Sequence, residues 1–344
     1  MKIKENPFFD NDKCIIIAEV GQNHEGSLGL AHAYIDAIAD SGANAVKFQT
    51  HIADSESSID EPFRVEFSKQ DKSRIEYWRR MEFSKDNWRE LKEHADSRNL
   101  LFLSSPFSVD AVNLLDQIDV PFWKIGSGDT YNIELIKEII RTNKPVLLST
   151  GLSNYEEIER AVNLLEKENV NYGIMQCTSK YPTPLSEVGI NVISELRDRF
   201  KCPVGLSDHS GSIFPGLMAL ANGISFLEVH ITFSKKMFGP DISSSLSFED
   251  LKFLCQSRDS FYEISKNPVD KNTMFRELVG VKKIFGRSLA LKQNLKKGSK
   301  LTRFDITTKK PGTGVSIMNI DDFVGKTLSK DVPANRLLLY SDIK

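Results

Sequence analysis

Two of the six histidines stand where they could share a metal ion. His209 and His230 each end an apolar, strand-like segment, and these two segments follow one another along the chain. Two imidazoles at neighbouring strand ends can bind one divalent cation, with water, a carboxylate or a substrate completing the coordination. Open positions of that kind suit a Lewis acid that polarises a carbonyl group. The sequence therefore predicts a metal site at His209 and His230, with Asp208 and Glu228 as ligands or as hydrogen-bond partners of the histidines.

Two lysines, Lys47 and Lys124, also end apolar segments. An ammonium group buried in this way is costly unless an anion pairs with it. One interpretation is that both lysines bind an anionic substrate, and another is that Glu19 and Asp129 neutralise them as structural ion pairs. A third is that one lysine forms a Schiff base with a carbonyl substrate, which would leave the paired histidines without a role.

Serine hydroxyls stand at the ends of several other segments, at Ser105, Ser127, Ser149 and Ser207. Hydroxyl and backbone donors beside two lysines suit a phosphate and a carboxylate, the two anionic groups of a molecule such as phosphoenolpyruvate.

Three further residues lie near these ends. Asp241 occupies a glycine-proline turn, where its carboxylate either holds sugar hydroxyls or simply closes the turn. Tyr181 is braced by prolines and could line the same site. Cys177 is interpreted as a packing residue rather than a nucleophile, because a lone cysteine usually behaves as a small hydrophobe.

The elements that must position these residues repeat one pattern. An apolar strand ends in polar or glycine residues, a helical segment follows, and the next strand begins. Eight such strand ends occur, at 19–26, 47–49, 104–106, 124–129, 149–151, 176–181, 205–209 and 228–230. Strands that alternate with helices form a parallel sheet. Eight of them predict an α/β fold, the (β/α)8 or TIM barrel, whose active site lies at the carboxyl ends of the strands.

Local signals mark several helices between these strands. Apolar residues recur at helical spacing from Leu30 to Ile38, and Gly42 follows as a stop. Ser153 and Glu156 have the spacing of a capping box at the start of another helix.

The chain has 344 residues, more than the about 250 that one barrel needs. We predict a barrel domain over residues 1–265, a polar linker over 266–284 and a small domain over 285–344. Glycines and prolines punctuate the last of these, as is typical of a turn-rich domain.

One connection breaks the rhythm of the barrel. Residues 51–84 follow the second strand and carry several aromatic side chains. A connection of this length inside a compact domain is usually functional. It is interpreted as a lid or a subunit contact, and the alternative is a surface insertion.

Composition excludes several classes of protein. Charged residues make up 27% of the chain and the net charge is −2, so neither nucleic acid nor an acidic membrane surface is an expected partner. No run approaches the roughly 20 apolar residues of a membrane span, and the N-terminal apolar segment reads as a strand rather than a signal peptide. The four cysteines are scattered, as in a reduced, cytoplasmic protein.

In order along the chain, these segments resemble one enzyme family. The markers are Ala18–His24, Lys47–Gln49, Lys124–Asp129, Cys177–Pro182, Gly205–His209 and Gly239–Asp241. Together they are similar to the sialic acid (N-acetylneuraminate) synthases, which condense phosphoenolpyruvate with N-acetylmannosamine or a related amino sugar. The tail from Lys309–Gly314 to Leu337–Leu339 resembles the antifreeze-like SAF (β-clip) domain of that family.

The resemblance implies roles for individual residues. Phosphoenolpyruvate would be surrounded by Lys47, Ser105, Lys124, Ser127, Ser149, Ser179 and Ser207. A manganese or magnesium ion would be bound by His209 and His230. The amino sugar would be met by Glu19, Gln49, Asp129, Tyr181 and Asp241. The family forms a domain-swapped homodimer, in which the C-terminal domain of one subunit caps the barrel of the other.

Some positions depart from the family pattern. Lys310 stands where many bacterial members have an arginine that reaches the sugar's acyl group across the dimer. Lysine keeps the charge but loses the planar fork. Val229 replaces a residue that is often basic, Asp129 is a glutamate in some members, and Ser105 and Ser179 are elsewhere threonine and asparagine. These changes concern the choice of sugar more than the chemistry.

The expected function is therefore a metal-dependent condensation that releases phosphate by C–O cleavage, with Glu19, Lys47 and Lys124 as catalytic residues. Glu19 is the candidate for activating the attacking water. The acceptor is N-acetylmannosamine, or alternatively a 2,4-diacetamido trideoxy hexose that leads to legionaminic or pseudaminic acid. The rival functions are a Schiff-base aldolase and a non-catalytic sugar-binding protein.

Overall fold

A computed structural model describes residues 13–65 and 67–344. The described chain forms two compact units, one ending at Lys266 and the other running from Asn267 to Lys344. Nowhere in these residues is a helix both long enough and apolar enough to cross a membrane.

The first unit is built around eight parallel strands. They are β1 (Ile15–Gly21), β2 (Ala45–Thr50), β3 (Leu101–Pro106), β4 (Trp123–Ile125), β5 (Val146–Ser149), β6 (Tyr172–Cys177), β7 (Val204–Asp208) and β8 (Phe226–His230). Hydrogen bonds join them in the order β3-β2-β1-β8-β7-β6-β5-β4, and β3 and β4 lie next to each other at the ends of that order. The sheet is thus a nearly closed barrel, and the predicted TIM-type fold is confirmed.

Helices connect the strands and surround the barrel. They are α1 (Leu28–Ser41), α2 (Ala53–Glu56), α3 (Arg74–Met81), α4 (Lys85–Ser97), α5 (Val109–Gln117), α6 (Ile133–Arg141), α7 (Tyr155–Lys167), α8 (Ile190–Phe200), α9 (Ile213–Ala221) and α10 (Phe248–Lys266). Short 3₁₀ helices lie at Leu185–Glu187 and Ile242–Ser244.

Alternation along the strands divides the side chains between two cores. The larger core lies between strands and helices and includes Ile16 and Ala18 of β1. A smaller one fills the barrel and contains Ile15, Ile17, Ala45, Leu103, Phe122, Leu147, Met175 and Phe226. Because side chains alternate along a strand, the residue two positions after each interior apolar residue also faces the interior. In this way Ile17 is followed by Glu19, and Phe226 by Glu228.

The helix caps agree with one of the local sequence signals and differ from the other by one residue. Helix α1 ends at Gly42, whose φ of 83° is left-handed, as the sequence predicts. The predicted capping box at Ser153 and Glu156 is wrong by one residue. Asn154 accepts a hydrogen bond from the Glu157 backbone and donates its own N–H to the Glu157 carboxylate. Ser153 precedes the cap, because its N–H is already bonded to the Thr150 carbonyl in a turn.

The second unit has its own small core. It contains α11 (Lys271–Glu277) and α12 (Val279–Phe285), an antiparallel pair of β9 (Ser288–Leu291) and β10 (Ile306–Lys309), and 3₁₀ helices at Ile317–Asp322 and Tyr340–Asp342. Its core is made of Leu289, Leu291, Leu301, Ile306, Val315, Phe323, Leu328, Val332 and Leu338. The segment interpreted as a linker, 266–284, is therefore largely helical, and neither α11 nor α12 has a buried side chain.

At Gly205, β7 and β8 approach each other closely. A Cβ atom at this position would lie 2.5 Å from the carbonyl oxygen of Phe226, so β8 would have to move. We expect Gly205→Ala to lower the free energy of unfolding by about 3 kcal/mol. Gly29→Ala is the matched control, because nothing lies within 4 Å of its Cβ and alanine favours the helix. Thermal melts of both variants measure the difference, and equal melting temperatures would contradict the packing argument.

Candidate active site

The carboxyl ends of the barrel strands surround a cavity of about 620 Å³. Its wall contains all the predicted site residues of the first unit. They are Glu19, Lys47, Gln49, Ser105, Lys124, Ser127, Asp129, Ser149, Ser179, Tyr181, Ser207, His209, His230 and Asp241. The remaining predicted residue, Lys310, belongs to the second unit, where its ammonium nitrogen lies 5.3 Å from the centre of the Phe285 ring.

Two lysines and two glutamates form a buried charge cluster on the cavity floor. The Lys47 ammonium lies 2.7 Å from Glu19 Oε2 and 3.7 Å from Glu228 Oε2. The Lys124 ammonium lies 3.6 Å from Glu228 Oε1. All four side chains are almost inaccessible to solvent. Glu228 therefore lies between the lysines and is a counter-ion to both.

Hydroxyl groups complete the surroundings of this charge cluster. Lys47 donates to Ser105 Oγ at 3.1 Å, and Lys124 donates to Ser149 Oγ at 2.5 Å. Ser207 donates to Glu228 Oε1 at 2.9 Å. Each ammonium is thus held between a carboxylate and a neutral hydroxyl, so part of its hydrogen-bonding capacity is committed to weak partners that an anion could replace.

The pKa values of the two glutamates in the cluster are shifted in opposite directions. Burial raises the pKa of Glu228, but Lys124 and Lys47 outweigh burial and lower it to about 2. Burial also raises the pKa of Glu19 above its usual value, and Lys47 opposes that rise. Glu228 is consequently a fixed negative charge, whereas Glu19 has the higher proton affinity that a general base requires.

The two lysines differ in the same way. Burial would lower the pKa of Lys47, but Glu19 and Glu228 raise it above the usual lysine value. For Lys124, burial prevails over the attraction of Glu228 and lowers the pKa. Of the two ammonium groups, that of Lys47 therefore loses its proton less readily.

The ion pairs that the structural alternative predicts are present for one lysine and absent for the other. Lys47 pairs with Glu19 as that alternative predicts. Lys124 pairs with Glu228 rather than Asp129, whose carboxylate accepts from Asn132 Nδ2 at 3.0 Å. Asp129 lies in the turn after β4, where its backbone N–H is bonded to the Gly126 carbonyl. Its side chain therefore forms a hydrogen bond within the loop instead of pairing with Lys124.

The two histidines lie side by side in the cavity wall, with ring centres 5.2 Å apart. His209 Nδ1 lies 3.1 Å from the Thr178 carbonyl oxygen, to which it can only donate. This bond leaves a lone pair on His209 Nε2, which lies 3.3 Å from the Tyr181 hydroxyl. Burial, with the neighbouring His230, lowers the pKa of His209 to about 3, so the ring is neutral.

These observations fit a divalent cation with two histidine ligands. A hydrogen bond from the other ring nitrogen to a carbonyl orients a metal-binding imidazole, as at His209. Within residues 13–65 and 67–344, His230 Nδ1 is buried without a hydrogen-bond partner. The described residues offer no cluster of three or more metal-binding side chains, so water or substrate would complete the coordination.

Neither carboxylate that the sequence offered as a metal ligand is free for that role. Asp208 accepts hydrogen bonds from the backbone and hydroxyl of Ser210, at 3.1 and 2.8 Å. Glu228 is held by the lysines and Ser207. Asp208, the last residue of β7, therefore holds the turn that follows the strand, and Glu228 belongs to the charge cluster.

The upper part of the cavity carries the other predicted polar residues. Gln49 donates to Glu19 Oε1 at 2.9 Å. Tyr181 stacks on His209 with ring centres 4.2 Å apart. Asp241 is buried and accepts a hydrogen bond from Arg64. Aromatic, amide and carboxylate groups at one end, with ammonium groups at the other, suit a molecule with a polar, uncharged part and a second molecule that is anionic.

Cys177 matches its prediction as a packing residue. Its side chain is buried, and burial raises the pKa of the thiol to about 11. The reactive form of a cysteine is the thiolate, so Cys177 is not poised as a nucleophile.

The long connection after β2 supplies residues that sequence reasoning missed. Its contributions to the cavity wall are His51, Glu56, Glu61, Arg64, Arg74 and Trp78. The His51 ring stacks between Trp78 and Phe107, at 3.7 and 4.5 Å between ring centres. The segment is thus part of the site, and the interpretation as a surface insertion is wrong. The signal available in the sequence was its length and its aromatic content.

Comparison with known proteins gives matches along nearly the whole chain. The model of the NeuB family matches residues 34–268, and the model of the SAF domain matches residues 286–344. The N,N'-diacetyllegionaminic acid synthase of Campylobacter jejuni is 36% identical over 332 residues, which cover 95% of this chain and 99% of that protein. The human N-acetylneuraminate-9-phosphate synthase is 33% identical over 319 residues, covering 91% and 88%.

A solved structure with the same fold is the N-acetylneuraminic acid (sialic acid) synthetase of Leptospira borgpetersenii. It superimposes with a TM-score of 0.70 at 30% identity and covers 80% of this chain and 93% of that one.

Proposed function

Because this chain belongs to the NeuB family, we propose that it condenses phosphoenolpyruvate with an acylated amino sugar and releases phosphate. The observation that carries the proposal is the buried pair of lysines beside the two histidines in one cavity. The lysines suit the two anionic groups of phosphoenolpyruvate. The product is a 2-keto-3-deoxy sugar acid of the nonulosonic type.

Lys47 and Lys124 would hold phosphoenolpyruvate, together with the serine hydroxyls around them, at Ser105, Ser127, Ser149, Ser179 and Ser207. The exchangeable hydrogen bonds from Lys47 to Ser105 and from Lys124 to Ser149 support this placement. Fixing both anionic groups presents C3 of phosphoenolpyruvate to the aldehyde carbon of the open-chain sugar, and such positioning can contribute several kcal/mol.

The bond changes follow from this arrangement. C3 attacks the aldehyde carbon, the aldehyde oxygen takes up a proton, and the cationic centre left at C2 adds water. The resulting tetrahedral intermediate loses phosphate by C–O cleavage and leaves the 2-keto group, so that one proton of the water ends on the new hydroxyl group at the former aldehyde carbon and the other on the departing phosphate. Glu19 would take the proton of the attacking water, and its raised pKa and its place beside Lys47 support that role.

His209 and His230 would hold a divalent cation, manganese or magnesium. When bound, such a cation supplies Lewis-acid polarisation of a carbonyl oxygen. Tyr181 stacks on His209 and would keep the sugar's aldehyde end beside the histidines. Gln49, Asp129 and Asp241 would contact its hydroxyl and amide groups.

We propose N-acetylmannosamine or a 2,4-diacetamido-2,4,6-trideoxy hexose as the acceptor. The first would give N-acetylneuraminate and the second a legionaminic or pseudaminic acid. Similarity to diacetyllegionaminic acid synthases from Campylobacter and Legionella supports the diacetamido sugar.

The test is phosphate release from phosphoenolpyruvate in the presence of manganese, across a panel of these sugars. We expect release only with one class of acylated sugar. Release should stop when EDTA removes the metal and return when manganese is restored in excess. His209→Asn should abolish the response to manganese, whereas His94→Asn is the matched control, because His94 lies in α4 and does not line the cavity.

Two results would contradict this function. One is the absence of phosphate release with every sugar. The other is borohydride trapping of a lysine adduct with pyruvate, since the lowered pKa of Lys124 is also what a Schiff-base lysine needs.

Glu19→Gln tests the general base. The amide keeps the shape and one oxygen but cannot accept the proton from water. We expect kcat to fall about 100-fold or more, while the affinity for phosphoenolpyruvate, measured by calorimetry, is retained or rises, because the substitution removes a negative charge beside Lys47. Because burial raises the pKa of Glu19, wild-type activity should rise with pH above the ordinary glutamate range, and this limb should be lost in the variant.

Glu195→Gln is the control for that change. Glu195 is exposed in α8 and bonded to the Tyr155 hydroxyl at 2.7 Å, away from the cavity. Turnover by Glu19→Gln within threefold of the wild-type enzyme would refute the assignment.

We further propose that the enzyme is a domain-swapped homodimer in which Lys310 of one subunit meets the sugar bound by the other. The exposed apolar side chains of α11 and α12 support a partner surface, among them Phe275, Val279 and Ile284. Contiguous exposed apolar side chains commonly mark a protein interface.

Mixed dimers test the exchange of domains. Glu19→Gln and Lys310→Ala subunits are each expected to be impaired, but a dimer of one of each would regain one intact site. Co-expression should therefore restore up to about half of the wild-type activity per mixed dimer, because one of its two sites would hold both native residues. A particle with the mass of one chain in light scattering, or no restoration, would contradict the swap.

A further inference from the structure

Arg64 occupies the sugar end of the cavity in an arrangement that the proposed reaction does not yet use. Its Nη2 atom donates to Asp241 Oδ1 at 2.8 Å and to the Pro240 carbonyl at 3.1 Å. Its guanidinium carbon lies 3.9 Å from the centre of the Tyr181 ring. Arg64 thus contacts both Tyr181 and Asp241, two of the residues that the proposed function assigns to the sugar.

Most of the hydrogen-bonding capacity of this guanidinium is unused. The group has five N–H donors in a rigid fork, and the two on Nη2 account for its bonds to Asp241 and Pro240. Across the described residues, 13–65 and 67–344, neither Nε nor Nη1 of Arg64 has a hydrogen bond to the chain. The side chain is 37% exposed and lines the cavity. These donors are accessible to a molecule bound there.

The guanidinium is held in place before any ligand arrives. The aromatic face of Tyr181 and the carboxylate of Asp241 fix its plane and one of its edges. Its neighbours in the chain are also anchored, since the Phe63 and Phe67 rings pack against Tyr77 of α3. A donor group fixed in this way loses little entropy when it binds an acceptor.

The charges decide what kind of acceptor fits. Asp241 is buried and neutralises Arg64 in a direct ion pair. A phosphate or carboxylate bound there would have to share a guanidinium already paired with a carboxylate, and its negative charge would lie close to that of Asp241. A neutral carbonyl oxygen meets no such repulsion and accepts one or two N–H bonds from the fork. The amide carbonyl of an N-acyl substituent is the group on an acylated amino sugar that answers this description.

We propose that Arg64 is a specificity-determining residue that binds the carbonyl oxygen of an N-acyl group on the sugar acceptor. This inference rests on the proposed function, because it concerns the same sugar site. It gives the segment 51–84 a chemical task, which is to read the acyl substituent while the barrel strands hold the reacting groups. It also favours acceptors without a phosphate group at this end of the cavity.

The experiment compares an acylated acceptor with its deacylated counterpart in the wild-type enzyme and in Arg64→Ala. The acylated probes are N-acetylmannosamine and 2,4-diacetamido-2,4,6-trideoxymannose, and the counterparts are the free amino sugars, measured as competitive inhibitors. Hydrogen bonds to charged groups are worth roughly 1.5–3 kcal/mol. Arg64→Ala should therefore raise the KM of the acylated sugar about 10–100-fold. The Ki of its deacylated counterpart should not rise, and the KM of phosphoenolpyruvate should stay within about threefold.

Two further variants sharpen the comparison. Arg64→Lys keeps the charge beside Asp241 but loses the fork, so it too should weaken acyl recognition, and it serves if Arg64→Ala does not fold. Arg79→Ala is the matched control, because Arg79 lies in the same segment in an exposed pair with Asp54 and does not line the cavity. It should leave every constant unchanged.

The outcomes separate this inference from the proposed function. Equal losses for acylated and deacylated sugars, or no loss for either, would overturn the role of Arg64 while phosphate release by the wild-type enzyme still stood. If the wild-type enzyme released no phosphate with any sugar, the proposed reaction would fail, and calorimetric binding of the same sugars to the same variants would still test Arg64. Absence of binding of any acylated sugar to the wild-type enzyme would overturn the inference as well.

Discussion

The structure of the site depends on two ammonium groups that are buried where the barrel's interior ends. Lys47 and Lys124 follow Ala45 and Phe122 by two residues, so strand alternation places them directly above the apolar side chains that fill the barrel. Buried charges persist only when they are paired and hydrogen-bonded. Glu228 pairs with both lysines and Glu19 with Lys47. The strands that supply these carboxylates, β1 and β8, are neighbours in the barrel, so their pairing brings the two carboxylates together beside the lysines.

The sequence predicts the barrel, and the residues at the carboxyl ends of its strands, because both depend on local patterns. An apolar run that stops at Lys47 or His209 indicates where a strand ends. Because the carboxyl ends of parallel strands share one face of a barrel, it also indicates on which face that residue lies. It does not reveal which charges pair. Asp129 is close to Lys124 in sequence, yet Glu228 is its partner, because β4 and β8 bring those side chains together across the interior. Pairing of this kind is set by the closed sheet and not by neighbouring residues.

The connection after β2 shows a second limit of local reasoning. Its length and aromatic content indicate a functional segment, but nothing in residues 51–84 identifies Arg64 as different from Arg74 or Arg79. What distinguishes Arg64 is its contact with Asp241, 177 residues later in the chain. The same limit applies at a smaller scale to α7, where the cap falls on Asn154 because Ser153 is already used in a turn. Patterns of residue type thus predict where a helix or a functional segment lies. Which side chain in it makes the key contact depends on residues outside that pattern.

The two ends of the cavity use charge in opposite ways, and this difference links binding to chemistry under the proposed reaction. At the sugar end, Arg64 and Asp241 neutralise one another, which suits an uncharged partner. At the floor, Lys47 is what restrains the rise in the pKa of Glu19. An anion bound at Lys47 would offset that attraction by its own negative charge, and the proton affinity of Glu19 would then increase. The carboxylate would become a stronger base only once phosphoenolpyruvate is present. Under that proposal, activation of water would be coupled to occupancy of the site, because Lys47 would contact both the substrate and the base.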